Sequence, residues 1–158
     1  MCSTKIEIYF KREILEKIYL TFIRPLLEYF CEVWDNCSQR DKDRLEKLQL
    51  EAAHIVTGLT VYSSRESLYQ ETGWEKLSSR RERKKLCLMC NMYHGHAPFY
   101  LCDLLPPLLC DVTNYPVRNR NDYTVPRCRL SLYQSSFIPS VINLWNSRRQ
   151  RHQKYQNI

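Results

Sequence analysis

A chain of 158 residues with 44% hydrophobic and 12% aromatic residues can bury a core and does not have the composition of a disordered tail. Its three glycines argue against a glycine-rich phosphate loop and against many tight β-turns. The net charge of +7 suggests an acidic partner, of which nucleic acid is the most obvious, although many basic proteins bind none. No apolar run approaches the ~18 residues that a membrane-spanning helix needs, so no membrane partner is expected.

The eight cysteines are expected to be reduced rather than paired in disulfides. The N-terminal segment over residues 1–10 is short and mixed in character, so no apolar signal region is expected ahead of the cysteines. Several cysteines also fall inside predicted helices. These features favour a reducing, intracellular compartment.

Residues 12–57 predict the antiparallel pair of helices around which the rest of the chain is organised. Apolar residues recur every three or four positions on both segments, so each has one apolar face. The first helix is expected over 12–34 and the second over 39–57, with a short polar turn between them. Pro25 removes a backbone donor inside the first helix, so a kink is expected near residues 22–24.

The second helix carries clear signals at both ends. Ser38 can accept a hydrogen bond as its N-cap, and Gly58 is a natural stop. Trp34 and Leu48 are expected to face each other, buried, across the pair of helices. Residues 1–11, ahead of the pair, are expected to form a ragged segment.

Shorter helices follow. Ser63 and Glu66 form a capping box that opens a helix ended by Gly73. The serine pair at 78–79 is expected to cap the next helix. The remaining helices are expected over residues 80–94, 97–105 and 137–145.

The texture of the sequence changes between residues 108 and 131. Asn, Pro and Arg there alternate with Tyr, Val and Leu, which predicts extended chain or a loose hairpin near 112–132. Residues 148–158 form a basic tail that is expected to fray. The sequence thus predicts a mainly-α fold of about six helices, with a single helical domain over residues 12–147.

Five aspartates are candidate metal-binding carboxylates of a nuclease or polymerase. Asp41 and Asp43 lie two positions apart on a helix and therefore point to different sides. A solvated first turn explains this pair better. The other candidates are Asp103, Asp111 and Asp122. No catalytic residue is assigned, and the chain is not expected to be an enzyme.

The sharpest local pattern is a Cys-x-x-Cys followed by two histidines. Cys87, Cys90, His94 and His96 supply the ligand types of a tetrahedral zinc site. Against zinc, the cysteines fall in the middle of a helix, and the gap to the histidines is shorter than the roughly 12 residues of a zinc finger. Buried cysteines also act as small hydrophobic residues. We therefore expect neither metal nor cofactor.

Basic residues form two groups that suit a phosphate backbone. Together with Tyr115, Tyr123 and Tyr133 they suggest binding to RNA or single-stranded DNA, with Arg on phosphates and Tyr stacked on bases. The alternative is an ordinary solvated helix face. The first group is Arg80, Arg81, Arg83, Lys84 and Lys85, and the second is Arg118, Arg120, Arg127 and Arg129.

Several sequence blocks resemble the segment that follows the palm in reverse transcriptases of non-LTR, LINE-type (jockey-like) retrotransposons. The blocks are Ile23-Arg24-Pro25-Leu26-Leu27-Glu28-Tyr29, Val33-Trp34-Asp35-Asn36, Leu45-Glu46-Lys47-Leu48-Gln49-Leu50-Glu51-Ala52-Ala53, Glu71-Thr72-Gly73-Trp74, Ser136-Phe137-Ile138-Pro139-Ser140 and Leu144-Trp145-Asn146-Ser147. The resemblance covers nearly the whole chain in order. It implies a helical thumb with its C-terminal extension, lying beside the RNA template and the growing DNA.

The resemblance also implies what this chain lacks. The family's polymerase motif, an aromatic and a small residue followed by two aspartates, lies upstream of the matching segment and does not occur here. The implied partners are RNA or single-stranded DNA, bound without sequence preference, and the palm of a parent polyprotein. The alternative is a helical relic that keeps no activity.

Overall fold

The computed structural model describes residues 11–60, 62–116 and 119–156, with only the backbone given for 150–156. Within these ranges the protein is mainly helical and has no strand, which confirms the predicted fold class. The chain divides into two compact units. Unit 1 comprises Met1–Cys31 and Cys37–Glu82, and unit 2 comprises Glu32–Asn36 and Arg83–Ile158. Residues 1–10 of the N-terminal segment, which is expected to be ragged, lie outside the described residues.

Three long helices and one of eight residues alternate with short helical segments along the described chain. They are α1 (Arg12–Ile18), a π-helical turn (Tyr19–Ile23), α2 (Arg24–Glu28), α3 (Cys31–Trp34), α4 (Gln39–Thr57), α5 (Arg65–Thr72), α6 (Leu77–Tyr93), α7 (Phe99–Cys102), α8 (Leu109–Val112), α9 (Ser131–Ser135) and α10 (Phe137–Gln156).

The continuous helix expected over residues 12–34 is interrupted twice. Just ahead of Pro25 the backbone widens into a π-helical turn, in which the N–H of Arg24 bonds to the carbonyl of Tyr19. Proline has no N–H, and a wider turn relieves the clash of its ring with the preceding turn, so the expected distortion is present as a π-turn. The second break is at Phe30, whose φ of 48° is left-handed and cannot continue a helix.

Helix α4 has the ends that the sequence predicted. The side chain of Ser38 accepts from the N–H of Asp41 at 3.3 Å, and Gly58 closes the helix with a φ of 66°. The buried residues of this helix include Leu50, Ala53 and Val56, whereas Leu48 is 49% exposed. Leu48 and Leu50 are two positions apart and so point about 160° away from each other around the helix, and the prediction that Leu48 is buried is wrong.

The core of unit 1 is built around two stacked rings. Tyr19 and Trp74 lie with ring centroids 4.3 Å apart and an interplanar angle of 15°. The hydroxyl of Tyr19 donates to Gln49 Oε1 at 2.7 Å, so its polar end is satisfied inside the core. The surrounding buried residues are Leu50, Ala53, Val56 and Leu68.

Two predicted helix caps are displaced. The N-cap of α5 is Ser64, which accepts from the N–H of Ser67 at 3.1 Å, rather than Ser63. Helix α6 begins at Leu77, ahead of the predicted serine pair. Its Leu77 N–H donates to Glu46 Oε2 at 3.2 Å, so a carboxylate from α4 provides the acceptor that the serines were expected to supply.

Unit 2 has its own small core, formed by Met89, Tyr123, Val141 and Ile142. Helix α10 continues to Gln156, so the described backbone is helical over much of the tail that was expected to fray. Between α8 and α9 the chain is irregular, with one isolated antiparallel bridge from Leu108 to Tyr123 where extended chain was expected.

Candidate nucleic-acid interface

Positive charge is concentrated in unit 2. That unit holds 11 Lys and Arg against five Asp and Glu, which accounts for six of the seven net positive charges of the chain. Unit 1 is close to neutral, with 13 basic and 12 acidic residues. A phosphate backbone is therefore attracted mainly to unit 2.

The first part of the basic group on α6 lies in unit 1 and serves the fold. The guanidinium of Arg80 forms two hydrogen bonds with the carboxylate of Glu28, one of them at 3.0 Å. These bonds raise the pKa of Arg80, because they stabilise its charged form. Arg81 is only 3% exposed. Neither side chain is presented to a partner.

The second part of this group lies in unit 2. Lys85 is 9% exposed, and its ammonium forms an ion pair with Asp35 of the same unit. Arg83 is exposed and Lys84 is half-buried. Of the five residues predicted to bind phosphate, Arg81 and Lys85 are thus buried and Arg80 is bound to Glu28, which leaves Arg83 and Lys84.

The later basic group is more accessible. Arg120, Arg127 and Arg129 are all exposed, whereas Arg118 lies outside the described residues. Of the tyrosines expected to stack on bases, Tyr115 is 67% exposed. Tyr133 is 48% exposed, and Tyr123 is 7% exposed in the core of unit 2, so it does not offer a stacking surface.

A cleft in unit 2 was not foreseen from the sequence. It has a volume of about 370 Å³, its walls are mostly apolar, and it opens to solvent. Its lining residues come from α6, from the residue that follows α6 and from α10. They are Leu86, Tyr93, His94, Trp145, Arg148 and Arg149. The basic and aromatic residues of α10 were visible in the sequence, but nothing local indicated that they meet the end of α6.

The residues weighed for zinc do not form a closed set. Among the described residues, no group of three or more His, Cys, Asp and Glu is placed to hold a metal ion. The rings of His94 and His96 stack at 5.9 Å, and Cys87 is exposed. Cys90 is half-buried. All the cysteines that the structure describes are free thiols.

The carboxylates weighed for catalysis have local partners. Asp41 accepts from the Ser38 hydroxyl at 2.7 Å and from Arg44 at 3.3 Å. Asp43 accepts from the side chain of Gln39 at 2.8 Å. Asp122 is buried at the bridge in unit 2. The first two belong to the capped turn of α4, which matches the solvated-turn interpretation.

In the part of the chain that the structure describes, no helix combines the length and the apolar character needed to cross a membrane. Comparison with known proteins adds no relative. No family model, curated protein or solved structure matches the chain.

Proposed function

We propose that this chain binds RNA or single-stranded DNA without sequence preference, as the thumb-side segment of a non-LTR reverse transcriptase. The observation that carries the proposal is the concentration of six of the seven net charges in unit 2. One arginine guanidinium group can bind two oxygens of a phosphate. Contacts between basic side chains and phosphates supply most of the non-specific affinity for nucleic acid. The sequence resemblance supplies the identity of the parent enzyme.

The proposed contacts are narrower than the basic groups in the sequence. Arg120, Arg127 and Arg129 form the main contact set because they are exposed, and Arg83 and Lys84 on α6 are further candidates. Exposed tyrosines nearby in the sequence, Tyr115 and Tyr133, offer faces for base stacking. Arg80, Arg81 and Lys85 are excluded because the fold encloses them.

The test is the salt dependence of binding to single-stranded RNA of mixed sequence. The variant replaces Arg120, Arg127 and Arg129 with Gln. Affinity should fall alike on every sequence, and the slope of log affinity against log salt should drop by about 0.7 for each lost phosphate contact.

A matched control removes the same charge from unit 1. Lys17, Arg40 and Lys47 are exposed there, and replacing all three with Gln changes the net charge equally. The control should keep most of the parental affinity and slope. Equal losses of affinity in both variants would show that binding depends only on the net charge of the protein. A parent protein that fails to bind at low salt would exclude the proposal.

A second candidate function is packing against another protein, without retained activity. Unit 1 exposes apolar side chains that recur along α2 and its flanks: Phe22, Ile23, Leu26, Tyr29 and Phe30. Exposed apolar surface of this kind is typical of an interaction site. The resemblance to a thumb names the palm of the parent polyprotein as the partner.

This second candidate predicts that the isolated chain self-associates as its concentration rises, because exposed apolar side chains can pack against those of a second copy. Replacing Phe22 and Leu26 with Gln should suppress the association in sedimentation experiments. The matched control replaces Leu130 and Leu132, which are equally exposed in unit 2. A parent chain that stays monomeric at high concentration would count against the packing function.

A further inference from the structure

We propose that the cleft of unit 2 holds one unstacked nucleobase, with the attached phosphate beside Arg148. The ligand class is an aromatic ring that carries an anionic group, which an unpaired nucleotide of a strand or a free mononucleotide can supply. The inference rests on the proposed function, which it deepens by adding a base site to the phosphate contacts. The cleft volume of about 370 Å³ lies in the range of small-ligand sites.

Two aromatic rings form the walls of the cleft. Tyr93 on α6 and Trp145 on α10 have ring centroids 5.9 Å apart and planes inclined by 40°. The distance between the two rings is too short for a third ring to fit between them, so a base would stack on the accessible face of one of the two rings. His94 meets the Tyr93 ring edge-on at 5.1 Å and helps to fix its orientation.

Trp145 contributes a ring face rather than a hydrogen bond. Its side chain packs against the core of unit 2. Its Nε1 is fully buried and has no hydrogen-bond partner among the described residues, so this donor is out of a ligand's reach. Together with Leu86, the rings give a largely apolar wall. Such a wall favours stacking over the reading of base edges, so the site should tolerate every base.

The electrostatic character of the cleft selects an anion. Among the lining residues that the structure describes, none is Asp or Glu, and two are arginines. Arg149 donates to the carbonyl of Asn121 at 2.9 Å, which holds its guanidinium in place. Arg148, which precedes Arg149 on α10, is exposed. An aromatic ring on the wall would thus place an attached phosphate next to positive charge.

The test compares strands with and without bases. Binding of the full chain is measured for a single-stranded 10-mer and for the same backbone with abasic positions throughout. A mononucleotide and ribose 5-phosphate form the second pair of probes. We expect base removal and the variant Tyr93→Leu each to weaken binding by about 5-fold or more, since a base–aromatic stack accounts for at least that factor.

Two further variants make the result specific. Tyr93→Phe keeps the ring and should restore parental affinity. Tyr100→Leu removes a tyrosine of unit 2 that is 59% exposed and lies outside the cleft and the proposed contact set, so it should change binding less. Tyr93 is 42% exposed, so its replacement should leave the core intact, as circular dichroism can verify.

The outcomes separate the two proposals. Strand binding that ignores both the bases and Tyr93, with no mononucleotide binding, overturns the base site and leaves the phosphate contacts in place. Mononucleotide binding that needs Tyr93, without any strand binding, supports the cleft and excludes the proposed function. If no probe binds at low salt, both are overturned.

Discussion

The side-chain amide of Asn146 pairs with both backbone polar groups of Tyr123. Its Oδ1 accepts from the Tyr123 N–H at 3.1 Å, and its Nδ2 donates to the Tyr123 carbonyl at 2.9 Å. One buried side chain on α10 thus does what a neighbouring strand would do for this residue. The irregular chain before α9 is anchored to the last helix at this point.

Asn146→Asp should destabilise unit 2. A carboxylate cannot donate to the Tyr123 carbonyl, and a buried group left without its partner costs about 1–3 kcal/mol, or more if it is charged. The measurement is the unfolding midpoint in urea at neutral pH. Asn143→Asp, an exposed change on the same helix, is the control and should shift the midpoint little. Equal midpoints for the two variants would contradict the anchoring role.

Alkaline pH should destabilise the protein through its buried tyrosines. Burial raises the pKa values of Tyr19, Tyr69 and Tyr123 above the ordinary value of 10.0. The stability that these groups contribute is fully present below pH ~10 and is lost as pH rises above it, because the unfolded chain then binds fewer protons than the folded chain.

Thermal unfolding followed between pH 8 and 11 tests this pH dependence. Tyr19→Phe removes one titrating group, so its midpoint should fall less steeply above pH 10 than that of the parent. Tyr62→Phe is the control because Tyr62 is fully exposed in unit 1. A parental midpoint that stays constant up to pH 11 would refute the prediction.

The ion pair between Lys85 and Asp35 should be structural. Removing either partner alone, in Lys85→Met or Asp35→Asn, takes this counter-ion away from a largely buried charge and should cost about 3–5 kcal/mol. The double variant should recover part of that loss. These values follow from denaturant unfolding of the four proteins in a double-mutant cycle.

An exposed ion pair provides the comparison. Lys47 and Glu51 lie 3.9 Å apart on the surface of α4, and the same cycle there should give at most about 0.5 kcal/mol. A similarly small value for Lys85 and Asp35 would return Lys85 to the set of residues that could serve a phosphate partner.

The chain alone should not extend a primer. The described carboxylates include no cluster that could hold two metal ions, which polymerase chemistry requires. Primer extension on an RNA template with magnesium is the measurement, and a heat-treated sample is its control. Incorporation above that control would show that a catalytic centre has been overlooked.

The sequence predicted best what depends on neighbouring residues. Ser38 and Gly58 define the ends of α4 because capping acts within one turn of the helix. The shift from Ser63 to Ser64 shows the limit of this approach, since two adjacent serines offer the same side chain. Leu48 is not a core residue because the buried face of α4 carries Leu50, Ala53 and Val56 instead.

Distant partners could not be read from the sequence. Arg80 and Lys85 have the composition of a phosphate site, yet their carboxylates lie about 50 positions earlier in the chain, at Glu28 and Asp35. The cleft could not be predicted from local sequence either, because Tyr93 and Trp145 lie on different helices that meet only in the folded protein. Charge runs indicate where positive residues occur, but burial decides which of them remain available.

The five-residue insertion of Glu32–Asn36 into unit 2 has a consequence for biosynthesis. During synthesis, Asp35 leaves the ribosome long before Lys85. Residues 32–36 therefore cannot pack with the rest of unit 2 until the remainder of unit 1 has been made. A gene dissected between Glu82 and Arg83 would produce a C-terminal piece with Lys85 but without its counter-ion. Recombinant halves of this protein therefore need residues 32–36 supplied as a separate peptide or re-joined by circular permutation.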